Sequence, residues 1–158
     1  MTYRINNMIC RLKMRMALSL VGVGLAAALA SCQLETSGNG LLDGYWQLTA
    51  IDTLETGGHT DMREELVMWA VQGRLMQLRW NSDSVYGVYF SFTHMGDSLI
   101  MTNPYISKRE LDDIKVFQPE ELFPYGVHNL EEHFLVEKLN RKNMQLCDGV
   151  YRLYFRRY

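Results

Sequence analysis

From Leu41 onward the chain is dominated by short runs in which apolar and polar residues alternate. Neighbouring side chains of a β-strand point to opposite faces, so this alternation predicts strands that bury one face and expose the other. The apolar faces of three such runs are Trp46, Leu48 and Ala50; Tyr86, Val88, Phe90 and Phe92; and Tyr151, Leu153 and Phe155. The chain is therefore expected to be all-β.

Turn-forming residues separate these runs. Gln72-Gly73, Gly96-Asp97 and Asp148-Gly149 each lie between two predicted strands, and Asp-Gly is a strong signal for a short hairpin. The pattern predicts eight or nine antiparallel strands joined mostly by tight turns. A series of neighbouring hairpins favours an up-and-down barrel, because closure of the sheet removes its exposed edges.

Residues 108–129 interrupt the alternation. Ile114–Phe117 is predicted to be a strand, and Pro119 followed by two glutamates is a favourable start for one short helix. Pro124 and Gly126 would end that helix soon afterwards. The predicted fold is thus an antiparallel barrel with one short helix.

The first 31 residues have a different character. Four basic residues precede the uncharged, mostly apolar stretch Met16–Ala30, which is shorter than the roughly 20 residues that span a bilayer. This order is typical of a secretory signal peptide. Its end, Leu29-Ala30-Ser31-Cys32, resembles the lipobox of bacterial lipoproteins, a family in which a peptidase cuts before the cysteine and the thiol carries a lipid. The resemblance implies that Cys32 anchors the mature chain to a membrane.

These features predict three segments: a signal peptide at residues 1–31, a flexible tether at 32–40 and a barrel domain at 41–158. Gln33 stands where an aspartate would resemble an inner-membrane retention signal. We therefore expect the protein in the cell envelope, at the outer membrane and facing the periplasm.

Charge and cysteine content exclude several classes of protein. Removal of residues 1–31 takes four of the sixteen basic residues and none of the eighteen acidic ones, which leaves a net charge of −6. An acidic chain with scattered positive charges does not match a nucleic-acid-binding surface. Cys147 would be the one cysteine left besides Cys32, so no disulfide framework is expected.

Gly44-Tyr45-Trp46, on the first predicted strand, resembles the Gly-x-Trp motif of lipocalins. In that family the tryptophan plugs the closed end of the barrel and packs against an arginine from the last strands. The resemblance implies a lipocalin-like barrel in which Arg152, Arg156 or Arg157 takes that position. It further implies a role in binding and a place among the lipocalin-like lipoproteins of Gram-negative bacteria.

Aromatic and aliphatic side chains are expected to line or fill the barrel, since a barrel of about eight strands is either packed or holds one small ligand. The candidate lining residues for a small apolar ligand are Trp46, Leu48, Tyr86, Val88, Phe90, Phe92, Leu153 and Phe155. The alternative is an accessory lipoprotein with a filled barrel that binds another envelope protein. That partner would bind through residues 54–64, residues 108–129, or an exposed patch including Tyr89 and Tyr154.

Catalysis and cofactors find little support in the sequence. His128 and His133 are five residues apart, which places their rings on different faces of a helix or strand, so no metal site is expected. Ser91 lacks a nucleophile elbow, and Cys147 is expected to be a half-buried strand thiol. The chain is therefore predicted not to be an enzyme and to need no cofactor.

Overall fold

The structure, a computed structural model, describes residues 37–80, 87–108 and 112–158. Two 3-10 helices, Gly40–Leu42 and Pro119–Tyr125, accompany ten strands in this part of the chain. The strands are β1 (Gly44–Thr53), β2 (Gly58–Asp61), β3 (Met68–Gln72), β4 (Leu75–Arg79), β5 (Val88–Met95), β6 (Ser98–Ile106), β7 (Ile114–Lys115), β8 (Glu132–Leu139), β9 (Asn143–Cys147) and β10 (Tyr151–Arg157).

Eight of these strands form a closed antiparallel barrel in the order β1, β3, β4, β5, β6, β8, β9 and β10. Pairing of β10 with β1 closes the barrel, from Trp46 opposite Arg157 to Thr53 opposite Tyr151. The predicted up-and-down barrel is confirmed. Two short strands lie outside the ring of eight: β2 pairs with the end of β1, and β7 pairs with β6.

A β-bulge midway along β1 changes which of its side chains point into the barrel. Its register with β10 shifts between Leu48 and Ala50, so that one extra residue interrupts the alternation. Leu48 is fully buried, whereas Ala50 lies on the outer surface and Ile51 packs against the core instead. The prediction that Ala50 shares the inward face of Trp46 and Leu48 was wrong, because alternation alone does not reveal a bulge.

The connection between β6 and β8 closes one end of the barrel. We call residues 112–131 the plug segment, because Val116, Leu122 and Val127 belong to the barrel's hydrophobic core. The predicted short helix is Pro119–Tyr125, and Gly126 caps its C-terminal end, because a left-handed backbone lets its N–H donate to the carbonyls of Leu122 and Phe123.

Within the same part of the chain, no helix is long and apolar enough to cross a membrane. Residues Ser37–Tyr158 form one compact unit. The predicted signal peptide, Cys32 and most of the tether lie outside the residues that the structure describes.

Gly126 provides a test of how tightly the plug segment fits. A Cβ added there would lie 2.9 Å from Cδ2 of Leu153 and 3.2 Å from Cδ2 of Leu48, at a φ of +80°. Gly126→Ala should lower the free energy of unfolding by about 2–4 kcal/mol, from the positive φ and from overpacking together. Urea denaturation measures the loss.

Gly57 is the matched control, since its φ of +69° is similar but a Cβ there would meet no atom within 4 Å. Gly57→Ala should lower the free energy of unfolding by about 1–2 kcal/mol, because only the unfavourable backbone angle contributes there. Equal losses in the two variants would contradict close packing of the plug segment against the barrel.

Candidate functional site

Trp46 and Arg157 close the end of the barrel opposite the plug segment. Trp46 has no accessible surface, and its Nε1–H donates to the carbonyl of Leu42 over 2.8 Å. The guanidinium of Arg157 lies over the indole, 5.0 Å from the ring centroid, and donates to the carbonyls of Leu41 and Asp43. Of the three arginines proposed from the resemblance, Arg157 takes the position next to the tryptophan.

Gly44 is glycine because Arg157 occupies the space beside it. The φ of Gly44 is +124°, and a Cβ there would lie 2.6 Å from the Nη2 atom of Arg157. The backbone angle strongly favours glycine, and a larger residue would also have to displace the Arg157 guanidinium from its place over Trp46. The Gly-x-Trp pattern thus has a local physical cause.

The other two arginines lie on the outer surface of the barrel. Nε of Arg156 donates to Oε1 of Gln47 over 2.8 Å, and Gln47 is buried although it alternates with Trp46 and Leu48. Arg152 donates two hydrogen bonds to Glu137. Both contacts are structural.

The proposed lining residues that the structure describes lie inside the barrel as part of one hydrophobic core. Trp46, Leu48, Phe90 and Leu153 have no accessible surface, and Val88 and Phe155 are almost completely buried. Phe92 is partly buried against the same core, and Tyr86 is outside the described residues. A side chain without accessible surface touches no space that admits a water molecule, so these residues pack against one another in this conformation.

The plug segment is held to the barrel by polar as well as apolar contacts. The Nε1–H of Trp69 on β3 donates to the carbonyl of Tyr125 over 3.1 Å. The ring of His128 stacks on Tyr151, with centroids 3.9 Å apart, and burial lowers the pKa of His128. The plug segment therefore fills the end of the barrel that lies away from Trp46.

A groove on the outer surface is lined by aromatic and aliphatic side chains. This outer groove, of about 520 Å³, lies over β1, β3 and β4 and ends at the C-terminus of the chain. Its walls include Tyr45, Leu66, Met68, Arg79, Trp80 and Tyr158. Tyr45 is 61% exposed and Tyr158 83% exposed, so aromatic surface is available to a ligand.

A second surface pocket, of about 340 Å³, is polar. Tyr154 donates to Asp52 over 2.7 Å, and Nδ1 of His59 lies 2.6 Å from the other Asp52 oxygen. These two contacts lower the pKa of the Asp52 carboxyl. The pocket is therefore held together by a hydrogen-bonded trio of Asp52, His59 and Tyr154 on the barrel's outer surface.

The remaining candidates from the sequence do not form a site together. Cys147 is half-buried, as expected, and its thiol hydrogen-bonds to the Glu137 carboxylate. Tyr89 stacks on Tyr105, and Tyr154 lies on β10, several strands away around the barrel. The idea of one exposed patch containing both Tyr89 and Tyr154 was therefore wrong.

Sequence reasoning missed the outer groove because it concentrated on inward-facing positions. Tyr45 alternates with the buried Trp46 on β1 and is exposed, and this alternation was the available signal. Its neighbours in the groove come from β3, β4 and the last residue of the chain, so only the pairing of strands brings them together.

Comparisons with known proteins agree with the fold. The family model of the lipocalin-like domain matches residues 27–158. The chain is similar to a lipocalin-like protein from Bacteroides uniformis ATCC 8492, with 16% identity, a TM-score of 0.57 and coverage of 75% of this chain and 100% of that one. It is also similar to an uncharacterized protein from Bacteroides eggerthii DSM 20697, with 23% identity, a TM-score of 0.51 and coverage of 73% and 98%.

No curated protein matches the chain. The match to the family model covers most of the sequence, and the chain belongs to the lipocalin-like domain family. The two solved structures support the fold alone. A lipocalin-like barrel is compatible with ligand binding, and proteins of this family are generally not catalysts.

The closed end can be tested through Arg157. Arg157→Ala removes the stacking on Trp46 and the hydrogen bonds to two carbonyls, and should lower the free energy of unfolding by about 1–3 kcal/mol. Arg157→Lys should restore only part of this loss, because an ammonium lacks the planar guanidinium. Arg74→Ala, in the β3–β4 turn, should change stability by less than about 0.5 kcal/mol. Full recovery in Arg157→Lys would show that charge alone matters.

Proposed function

We propose that this chain is a lipid-anchored envelope protein whose lipocalin-like domain binds a small apolar ligand and performs no chemistry. The lipobox-like sequence that ends at Cys32 supports the anchor, and membership of the lipocalin-like family supports the binding role. The observation that carries the proposal is the outer groove, an open, aromatic-walled space of about 520 Å³. Ligand sites commonly measure roughly 300–1,000 Å³ and are mostly apolar.

The outer groove is preferred to the barrel interior on energetic grounds. Binding inside requires the plug segment to leave, and each large aliphatic side chain moved from core to water costs about 1.5–3 kcal/mol. Leu122 and Val127 are both fully buried, so binding of a ligand inside the barrel must first offset the free energy of exposing both side chains to water. The outer groove is open and carries no such cost.

The chemistry of the outer groove favours an amphipathic ligand with an anionic end. Tyr45, Trp80 and Tyr158 offer flat apolar faces, and Arg79 contributes a guanidinium at the edge of the same space. None of the ion pairs among the described residues involves Arg79. A carboxylate is the simplest group for a guanidinium to bind, through paired hydrogen bonds.

The second candidate function is binding of another envelope protein over the same surface. The exposure of Tyr45 and Tyr158 supports it, because aromatic residues are enriched at the centres of protein interfaces. A domain that binds no small apolar molecule but retains this surface would favour this function.

A titration of the domain, residues 33–158, tests the ligand proposal. The protein is first extracted with organic solvent to remove any bound molecule. Calorimetry should then show that one molecule of decanoic acid binds per chain. Trp80→Ala should weaken binding about tenfold, since it removes one aromatic wall worth about 1.4 kcal/mol. Arg79→Gln should weaken binding of decanoic acid but leave binding of decanol unchanged.

Phe117→Leu is the matched aromatic control, because Phe117 is exposed and lies outside the outer groove, and it should bind like the wild type. If Leu122→Ala changes the affinity while Trp80→Ala does not, the ligand binds inside the barrel. If neither decanoic acid nor decanol binds, the ligand proposal is overturned. Binding of another envelope protein would then be the remaining function.

Lipidation of Cys32 is tested by metabolic labelling with radioactive palmitate. The full chain should incorporate label and fractionate with the outer membrane, protected from protease in intact cells. Cys32→Ala should lose the label and accumulate as an uncleaved precursor, whereas Cys147→Ala should behave like the wild type. Labelling that persists in Cys32→Ala would refute the anchor.

A further inference from the structure

We propose that His128, Glu132 and Asp148 bind a divalent first-row transition-metal ion such as zinc, at the junction between the plug segment and the β9–β10 turn. One ring nitrogen of His128 and one carboxylate oxygen from each acid all lie within 4.8 Å of one another. His128 belongs to the plug segment, Glu132 begins β8 and Asp148 follows β9. Three separate pieces of the fold therefore bring their donor groups to one place.

Glu132 is a carboxylate in an unusual environment. Only 3% of the residue is exposed. Its Oε2 accepts the backbone N–H groups of His128, at 2.9 Å, and Asn129, at 3.0 Å, and the Asn129 amide lies 3.2 Å from both oxygens. None of the ion pairs among the described residues includes Glu132. Buried carboxylates are normally paired with a cation or coordinate a metal, so this group lacks its usual counter-charge.

Asp148 shapes the turn with only one of its oxygens. Oδ1 accepts the backbone N–H groups of Val150, at 2.8 Å, and Tyr151, at 2.6 Å. Both turn hydrogen bonds go to Oδ1, so Oδ2 can bind a cation without loss of the turn. The carboxylate is thus already oriented by the backbone, as ligands of metal sites usually are.

His128 supplies the second independent observation. Its Nδ1 atom is buried and has no hydrogen-bond partner, although a buried ring nitrogen normally has one. The ring is held between Tyr151, stacked at 3.9 Å, and Phe123, at 5.2 Å between centroids. The imidazole is therefore fixed in place by packing, and not by a hydrogen bond at Nδ1.

One imidazole nitrogen and two carboxylate oxygens form a donor set suited to zinc, with a fourth position left for water. Ligands about 2.0–2.2 Å from one ion lie roughly 3–4 Å apart, so the ion would draw the three groups closer together. Because they come from separate elements, bound metal would tie the plug segment to the β9–β10 turn and stabilise the closed barrel. The spacing of His128 and His133 along the chain gave no sign of this ligand set. Its third member, Asp148, lies sixteen residues beyond Glu132, and only the fold brings the two together.

Calorimetric titration of the full chain with zinc, in detergent and after treatment with a chelator, tests the proposal. We expect one ion per chain with a dissociation constant of about 10 µM or lower. Asp148→Asn keeps the acceptor that the turn needs but loses the carboxylate, and His128→Phe keeps the stack on Tyr151 but loses both nitrogens. Each should weaken binding at least about tenfold.

His133→Asn is the control, because His133 is exposed and paired with Glu131, away from the proposed ligands. It should bind zinc like the wild type. Zinc should also raise the melting temperature of the wild type but not that of Asp148→Asn. This second measurement tests the site even if the His128→Phe variant does not fold. Failure to saturate by about 1 mM, or equal losses in Asp148→Asn and His133→Asn, would overturn the proposal. Neither result bears on ligand binding in the outer groove.

Discussion

Pairing of the first barrel strand with the last is the constraint on which the rest of this structure depends. β1 and β10 must meet for the sheet to have no free edges, and their contact is reinforced at one end by Arg157 over Trp46. That contact in turn requires a glycine at position 44, because Arg157 occupies the space of its side chain. The Gly44-Tyr45-Trp46 motif near the start of the domain therefore stabilises the barrel through its contacts with Arg157 on β10.

Closure also decides where binding can take place. The ring of eight strands is filled from one end by Trp46 and from the other by the plug segment, with Trp69 and Phe155 in contact between them, 4.8 Å apart. In a barrel packed to this degree, the accessible aromatic surface lies outside. The outer groove depends on this closure, because Tyr158 follows β10 while most of the other walls belong to β1, β3 and β4.

Much of the fold was predictable because it depends on local patterns. Alternation and turn residues are sufficient to predict the hairpins, the barrel and the short helix at Pro119. The bulge beyond Leu48 was not predictable, since it depends on β1 changing partners from β3 to β2. The filling of the barrel was not predictable either: Leu122 and Val127 lie in the segment that interrupts the strand pattern, and only the tertiary structure places them in the core.

The most direct test of this interpretation is native mass spectrometry of the domain, residues 33–158, purified gently and compared with the Trp80→Ala variant. Binding in the outer groove predicts a co-purifying small molecule on the wild type that is lost on organic extraction and absent from the variant. A bound mass that persists in Trp80→Ala would place the ligand elsewhere in the domain. A wild-type protein that carries no ligand, and binds none when apolar acids are added, would contradict the claim that this protein functions by binding a small apolar molecule.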